Sequence, residues 1–447
     1  MHGENSALTQ VIFGWDPLWV SSILFVLTYL VIITEKVNRA IVAGLGAGLM
    51  IMLGVLNQQD AIHGIDFNTL GLLTGMMVIV AITRKCGVFQ YVAVWSAKKV
   101  DAQPWGILLM FSVVTAVFSA LLDNVTTVLL IAPVTLLITE ELKIRPYPFL
   151  FSEILASNIG GTATLIGDPP NIMIGSAAGL TFNDFMVNLT PIIPLIMAAS
   201  LGVIYLFWGR QMQATLEARQ RIMRFREREA ITDSRLLKQS LFVLTLTVSG
   251  FVLAHPLHMQ PATIAMAGAG LLLLLSSYRS SAEDQSEHVH STFGEVEWIT
   301  IFFFVGLFIV VHGIETAGVL DLLAQEVIAL TGGNLTVTAL ALLWVSAIFS
   351  AVVDNIPFVA TMIPLIKSMA PTFGGAEALM PLWWSLALGA CLGGNGTLVG
   401  ASANLIVAGL AERAGHRISF VQFTLTAFPL MLLSIAISTV YVYLRYL

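Results

Sequence analysis

The chain has 447 residues, of which 57% are hydrophobic and only 11% charged. Soluble domains carry about 25% charged residues, so this composition excludes a water-soluble globular protein and points to an integral membrane one. The net charge of −6 is spread over short loops and names no partner, and the two cysteines, Cys86 and Cys391, make neither a disulfide framework nor a zinc site.

The ten-residue alternation of an outer-membrane barrel is absent, and a spanning helix needs ~20 apolar residues. The expected fold is therefore an all-α polytopic membrane protein. The N-terminal MHGENSALTQ has no positive stretch, so no cleaved signal peptide is expected. Spanning segments are predicted at 18–33, 38–56, 66–82, 148–178 (interrupted) and 187–208. After a linker come 240–254, 260–277, 296–312, 380–411 (interrupted) and 424–444. Two further apolar segments, 105–139 and 337–369, are split by Asp-Asn pairs in SALLDNVTTV (119–128) and SAVVDNIP (350–357). Each reads as two spans or as a hairpin that re-enters the bilayer, and either way the chain returns to the side it left.

On that threading, of the 21 basic residues only Lys367 and Arg445 fall opposite the rest. Cytoplasmic loops carry the Lys/Arg excess, so the crowded side is the cytoplasm and both termini face outward from the plasma (inner) membrane. The linker QMQATLEARQRIMRFRERE (211–229) reads as a charged surface helix with its arginines near lipid headgroups rather than on nucleic acid. The acidic SSAEDQSEHVH (280–290), with His288 and His290, reads as a solvated connection and not as a metal site. No GxxxxGK[ST] occurs, so an ATP-driven step would need another chain, such as a cytoplasmic ATPase subunit.

Shifted by 231 residues, the halves align. Gly75 meets Gly306, Gly87 meets Gly318, Phe118-Ser119-Ala120 meets Phe349-Ser350-Ala351, Asp123-Asn124 meets Asp354-Asn355, and Pro133 meets Pro364. After a two-residue slip, Gly160-Gly161 meets Gly393-Gly394, Thr164 meets Thr397, Gly167 meets Gly400 and Asn171 meets Asn404. The chain thus divides into a first repeat (1–208), a cytoplasmic basic linker (209–238) and a second repeat (239–447). Each repeat holds an odd number of spans, so the second is inverted in the membrane, the organisation of secondary transporters.

The interrupted segments carry NIGGTATLIGDPPN (158–171) and CLGGNGTLVGASAN (391–404). Glycines and tandem prolines unwind a helix, and unwound backbone is tolerated at membrane depth only where protein or a watery cavity satisfies it. Asn158, Gly160, Gly161, Thr162, Thr164, Gly167, Asp168 and Asn171 from the first break are expected to meet Gly393, Gly394, Asn395, Thr397 and Asn404 from the second, as a substrate and ion site. A plainer reading gives the glycines helix packing alone. Asp123, Asn124, Thr126, Thr127, Asp354 and Asn355 join the site from the split segments. Every Lys and Arg lies in a loop or at a segment end, so Asp123, Asp168 and Asp354 have no basic partner within the apolar segments and must be protonated, face water or hold a cation. The coupling ion is expected to be H⁺, with Na⁺ also admissible, and no cofactor or bound metal is expected. The alternative is that the aspartates sit at solvent-facing span ends.

DNVTTVLLIAPVT, NIGGTATLIGDPPN, VDNIPFVATMIP and GACLGGNGTLVGASAN resemble motifs of the ion transporter superfamily, in the branch of arsenite–antimonite efflux proteins and the melanosomal P protein. The resemblance implies two inverted repeats of about five spans, each with a re-entrant hairpin and a broken helix, and puts the two Asp-Asn pairs at hairpin tips. In the related dicarboxylate carriers the tip reads Ser-Asn-Thr and holds Na⁺. Here Asp stands at 123 and 354, and Pro357 stands where the first copy has Thr126. Sodium–proton antiporters of the superfamily look similar at DNVTT and at the GD of GDPPN.

Acidic side chains without arginines disfavour a multivalent carboxylate. A small neutral hydroxylated solute, such as arsenious acid, suits amides, hydroxyls and backbone. The expected function is arsenite/antimonite export in exchange for protons, with a Na⁺/H⁺ or other cation/proton antiporter, or an ion-coupled anion carrier, of the same superfamily as the alternative. Cys391 could offer sulfur to arsenic, although lone buried cysteines are mostly inert. An intramembrane aspartyl protease would show YD and GxGD, whereas the chain has LDN, VDN and IGD, so no enzyme activity is expected.

Overall fold

The computed structural model describes residues 11–34 and 36–447. The N-terminal decapeptide discussed above lies outside the described residues. The first half runs α1 (Pro17–Thr34), α2 (Arg39–Met52), α3 (Gln58–His63), α4 (Phe67–Arg84), α5 (Val88–Lys99), α6 (Pro104–Leu121), α7 (Asn124–Leu142), α8 (Tyr147–Gly161), α9 (Pro169–Ala178), α10 (Phe182–Asn188) and α11 (Ile193–Trp208). The linker holds α12 (Leu216–Met223). The second half runs α13 (Ser234–Val252), α14 (Pro261–Ser277), α15 (Ala282–Gly294), α16 (Trp298–Thr316), α17 (Val319–Leu330), α18 (Leu335–Val352) and α19 (Asn355–Ser368). It ends with α20 (Ala370–Phe373), α21 (Met380–Gly393), α22 (Ser402–Arg413) and α23 (Phe420–Tyr446). Among the described residues ten helices are long and apolar enough to cross a bilayer, and α2 and α14 are shorter apolar helices. The protein is an all-helical multi-pass membrane protein.

Local signals set many of these ends. Pro104 and Pro261 open α6 and α14, where the missing N–H costs nothing. Gly87 and Gly318, matched between the halves, take left-handed φ of 78° and 81° ahead of α5 and α17. Few residues other than glycine adopt that backbone without strain.

The helices group into two compact units. One comprises residues 1–70, 297–338 and 360–379. Its core gathers Ala47 and Met50 from α2 with Val310 and Ile314 from α16. A Cβ on Gly306 would lie 2.5 Å from the backbone of Ala43, so glycine is what lets α16 approach α2 this closely. Arg39 donates to Thr300 Oγ1 at 3.3 Å and stacks 5.0 Å over Phe303, and His312 Nδ1 lies 3.0 Å from Glu315 Oε2.

The other unit comprises residues 71–296, 339–359 and 380–447. The same device recurs there: a Cβ on Gly75 would lie 2.6 Å from the backbone of Ala265, where α4 crosses α14.

Two segments differ from expectation. Between α11 and α13 the linker is α-helical only over Leu216–Met223, with short 3-10 turns at Gly209–Gln211 and Glu227–Ala230. Its side chains are drawn onto protein: Arg219 donates to the carbonyl of Asp101, Arg221 pairs with Glu141 at 3.3 Å, and Glu227 accepts from Lys98 at 2.6 Å. Lys98 also holds the half-buried Glu227 carboxyl below its usual range. Local partners thus compete with helix propagation. The supposed loop at 280–290 is largely helix α15, capped by Ser281, whose hydroxyl accepts from the Asp284 N–H. His288 Nε2 lies 3.0 Å from Ser276 Oγ, and burial holds its imidazole below the usual value.

Candidate substrate and ion site

Every residue of the site belongs to the second unit. The Asp-Asn pairs break α6 from α7 and α18 from α19. Asp123 is extended and caps α7, accepting from the Thr126 N–H at 2.7 Å. The Asn124 N–H donates to Gly167 O at 3.1 Å, so the first tip is tied to the first break. Asp123 is 7% exposed and Asn124 3%. That tip is inside the protein and not at a solvent-facing helix end. In the second tip Asp354 is half-buried and accepts from the Ile356 N–H at 3.1 Å and from the Ser402 hydroxyl at 2.8 Å. Asn355 is buried.

The two breaks are built alike. Residues 162–168 and 394–401 leave the helix, and all are buried except Val399, which is half-buried. Backbone without intrahelical partners must be satisfied at membrane depth, and side chains do this in matched pairs. Thr164 Oγ1 donates to Ala120 O at 2.5 Å, and Thr397 Oγ1 to Ala351 O at 2.6 Å. Asn171 Nδ2 reaches Thr162 O and Thr164 O at 3.2 and 2.9 Å, while Asn404 Nδ2 reaches Gly394 O and Thr397 O at 2.7 and 2.8 Å. Ser119 donates to Ser157 O and Ser350 to Ala390 O, both at 2.6 Å.

Between the breaks lies a continuous amide network. Asn158 Nδ2 donates to Asn395 Oδ1 at 2.9 Å and Asn404 Oδ1 at 3.0 Å, and its Oδ1 accepts from Asn124 Nδ2 at 3.2 Å. One side chain thus joins the first tip, the first break and the second break. Asn355 Nδ2 lies 3.3 Å from both oxygens of the fully buried Asp168, which ties the second tip to the first break. Asp123 and Asp354 are within electrostatic reach of Asp168. The Cys391 thiol donates to Asn171 Oδ1 at 3.4 Å. Segments 119–128, 158–171, 350–357 and 391–404 contain no Lys or Arg. Among the described residues no group of three or more His, Cys, Asp or Glu is placed to hold a metal ion.

The glycines divide from the polar residues. A Cβ on Gly160 would meet Ala116 O at 2.2 Å, and one on Gly393 would meet Ala347 O at 2.5 Å, so these two serve helix crossing. Gly161, Gly167 and Gly394 let the chain fold back on itself: Gly161 and Gly167 would place a Cβ 2.6 Å from each other's carbonyl oxygen, and Gly394 would place one 3.1 Å from Gly400 O. Thr162 Oγ1 turns back to Asn158 O at 2.7 Å. Thr126 takes part through its N–H, and the Thr127 hydroxyl is buried without a hydrogen-bond partner. Ser402 and the buried Glu153 are polar residues that the sequence reading passed over.

Two hairpin tips meeting two broken helices, in a multi-pass helical protein, define a membrane transporter and not an enzyme. The citrate transporter family model matches residues 29–389, and the chain belongs to that family. An uncharacterized transporter of Mycobacterium tuberculosis is 45% identical over 434 residues, covering 96% of this chain and 98% of its own. The 46 kDa membrane protein of Mycobacterium leprae is 43% identical over 428 residues, covering 95% and 97%. The human P protein is 31% identical over 494 residues, covering 92% of this chain and 58% of its own length. In fold the chain is similar to the Alcanivorax borkumensis YdaH transporter, with a TM-score of 0.58 at 14% identity over 95% of this chain and 99% of that one.

Proposed function

We propose that the protein exports a small neutral hydroxylated solute, arsenite or antimonite, across the plasma membrane in exchange for protons. The observation that carries this reading is Asp168, a fully buried carboxyl contacted by Asn355 and set in segments that hold no Lys or Arg. A carboxyl so enclosed favours a proton or a small cation as its partner. The amides around Asn158 suit hydroxyl groups that both donate and accept. Citrate, for which the family model is described, would bring negative charge to a site already acidic and without guanidinium groups. In this reading the linker faces the cytoplasm, both termini face outward, and residues 1–208 and 239–447 work as inverted repeats. A Na⁺/H⁺ or other cation antiporter is the second reading, favoured by two further carboxyls within electrostatic reach of Asp168.

Transport into everted vesicles with an acidic interior tests both, using arsenite, antimonite, Na⁺ and citrate in turn. Metalloid accumulation abolished by Asp123→Asn or Asp354→Asn, with folding intact, is expected. Na⁺-driven proton movement without metalloid transport would establish the second reading, and citrate accumulation would overturn both. Unchanged accumulation in both variants would remove the aspartates from the mechanism.

A further inference from the structure

Glu153 lies in α8, fully buried, about 9 Å of helix from Tyr147 at one end and about 7.5 Å from Asn158 at the other. Its Oε1 accepts the Thr135 hydroxyl of α7, while its Oε2 is buried with no hydrogen-bond partner. A buried carboxyl oxygen left unsatisfied is costly and calls for an occupant. Among the described residues no ion pair involves Glu153. The helices packed on α8 are α6, α7, α11, α21 and α22. Of these α6 has no titratable residue, and α7 has only Glu140 and Glu141 in its last turn. Beyond them stand Tyr205 on α11, Cys391 on α21, and Glu412 and Arg413 at the far end of α22. Phe423 of α23 also touches α8, through Phe151, and the titratable residues of α23 stand at its opposite end.

The α7–α8 seam carries polar groups from Glu153 to the site: Thr135, the unpartnered Thr127 hydroxyl, and then Asn124 with Asn158. The second repeat keeps only the tip asparagine, Asn355, of this series. At the matched positions stand Leu386 for Glu153, Ile366 for Thr135, Phe358 for Thr127 and Cys391 for Asn158.

We propose that Glu153 is a second proton-binding site, present in one repeat only, which takes the proton that drives exchange from the Asn158 site and releases it toward the cytoplasm. The proposal rests on the proton-coupled reading above. The step is proton transfer alone. An acid at the site gives its proton to the Glu153 carboxylate, and Glu153 then passes it to water on the cytoplasmic, Tyr147 side, which leaves Glu153 ionised and forms a hydronium ion.

The test uses the full-length protein in liposomes, with Glu153→Gln, which preserves shape, and Glu153→Asp, which preserves the acid. Infrared titration without substrate is expected to show a carboxyl band that changes with pH, is lost in Glu153→Gln and is retained in Glu153→Asp. Arsenite flux driven by a pH gradient is expected to fall at least about tenfold in Glu153→Gln, and the residual flux to lose its pH dependence. A band that does not change with pH, or a Glu153→Gln flux with the native pH profile, would overturn the proposal. A titrating band in a protein that moves no arsenite would support Glu153 while overturning the substrate proposed above.

Discussion

The breaks at 158–171 and 391–404 share their scaffolding and differ in their chemistry. Each is pinned by a threonine to the preceding hairpin, lined by an asparagine that caps freed carbonyls, and admitted by a glycine where two helices cross. Yet Asp168 faces a counterpart alanine, Ala401; Asn158 a cysteine, Cys391; and Glu153 a leucine, Leu386. What must hold backbone open in a bilayer is duplicated, because both breaks meet the same desolvation cost. What handles charge is concentrated in the first copy, because each further buried carboxyl adds repulsion as well as desolvation.

Substitutions at matched positions can break or sharpen this contrast. Gly160→Ala and Gly393→Ala each drive a methyl into a neighbouring carbonyl, and each is expected to destabilise by about 3 kcal/mol or more, measured by unfolding of the purified protein. If only one does so, the scaffolding is not equivalent. Asp168→Asn is expected to reduce transport about hundredfold, and adding Ala401→Asp is expected not to restore it, since the second break has a different neighbourhood. Restoration in vesicle uptake would show that the copies are interchangeable after all. Gly318→Ala has open space and meets only left-handed strain, about 1–2 kcal/mol. Gly87→Ala adds a clash 1.8 Å from Ala230 O, so its midpoint of unfolding should fall further. Cys391→Ala should keep uptake within about twofold, as a thiol is a weak hydrogen-bonding group beside Asn171 and Asp168; a large loss would bring the thiol into contact with substrate.

Much of the architecture was legible because membrane burial leaves few reasons for polar residues in apolar runs. The Asp-Asn pairs, the glycine breaks and the matched asparagines stood out on that ground. Whether the split segments were hairpins or paired spans was not legible, since α6 and α7 are each long enough to cross and helical periodicity does not report what a turn touches. Glu153 lies outside the repeated motifs, yet a lone carboxylate in the apolar run YPFLFSEILASN is itself a signal. Helix α15 escaped because its composition was read before its ends. Ser281 followed by Asp284 is a capping pattern that would have exposed it. The linker differs in the other direction: eight arginines and glutamates over 217–229 favour helix in isolation, but Asp101 and Glu141 take Arg219 and Arg221, and Lys98 takes Glu227.

The crossing of Gly306 over Ala43 also bears on how the chain is made. Helix α2 leaves the ribosome more than two hundred residues before α16, the partner against which it buries Ala47 and Met50. At about 5–20 residues per second, α2 waits more than ten seconds in the bilayer with that face turned to lipid or to the insertion machinery. A chain stopped after Val296 should therefore leave α2 open to protease or to thiol labelling at introduced cysteines, whereas one extended past Thr338 should protect it.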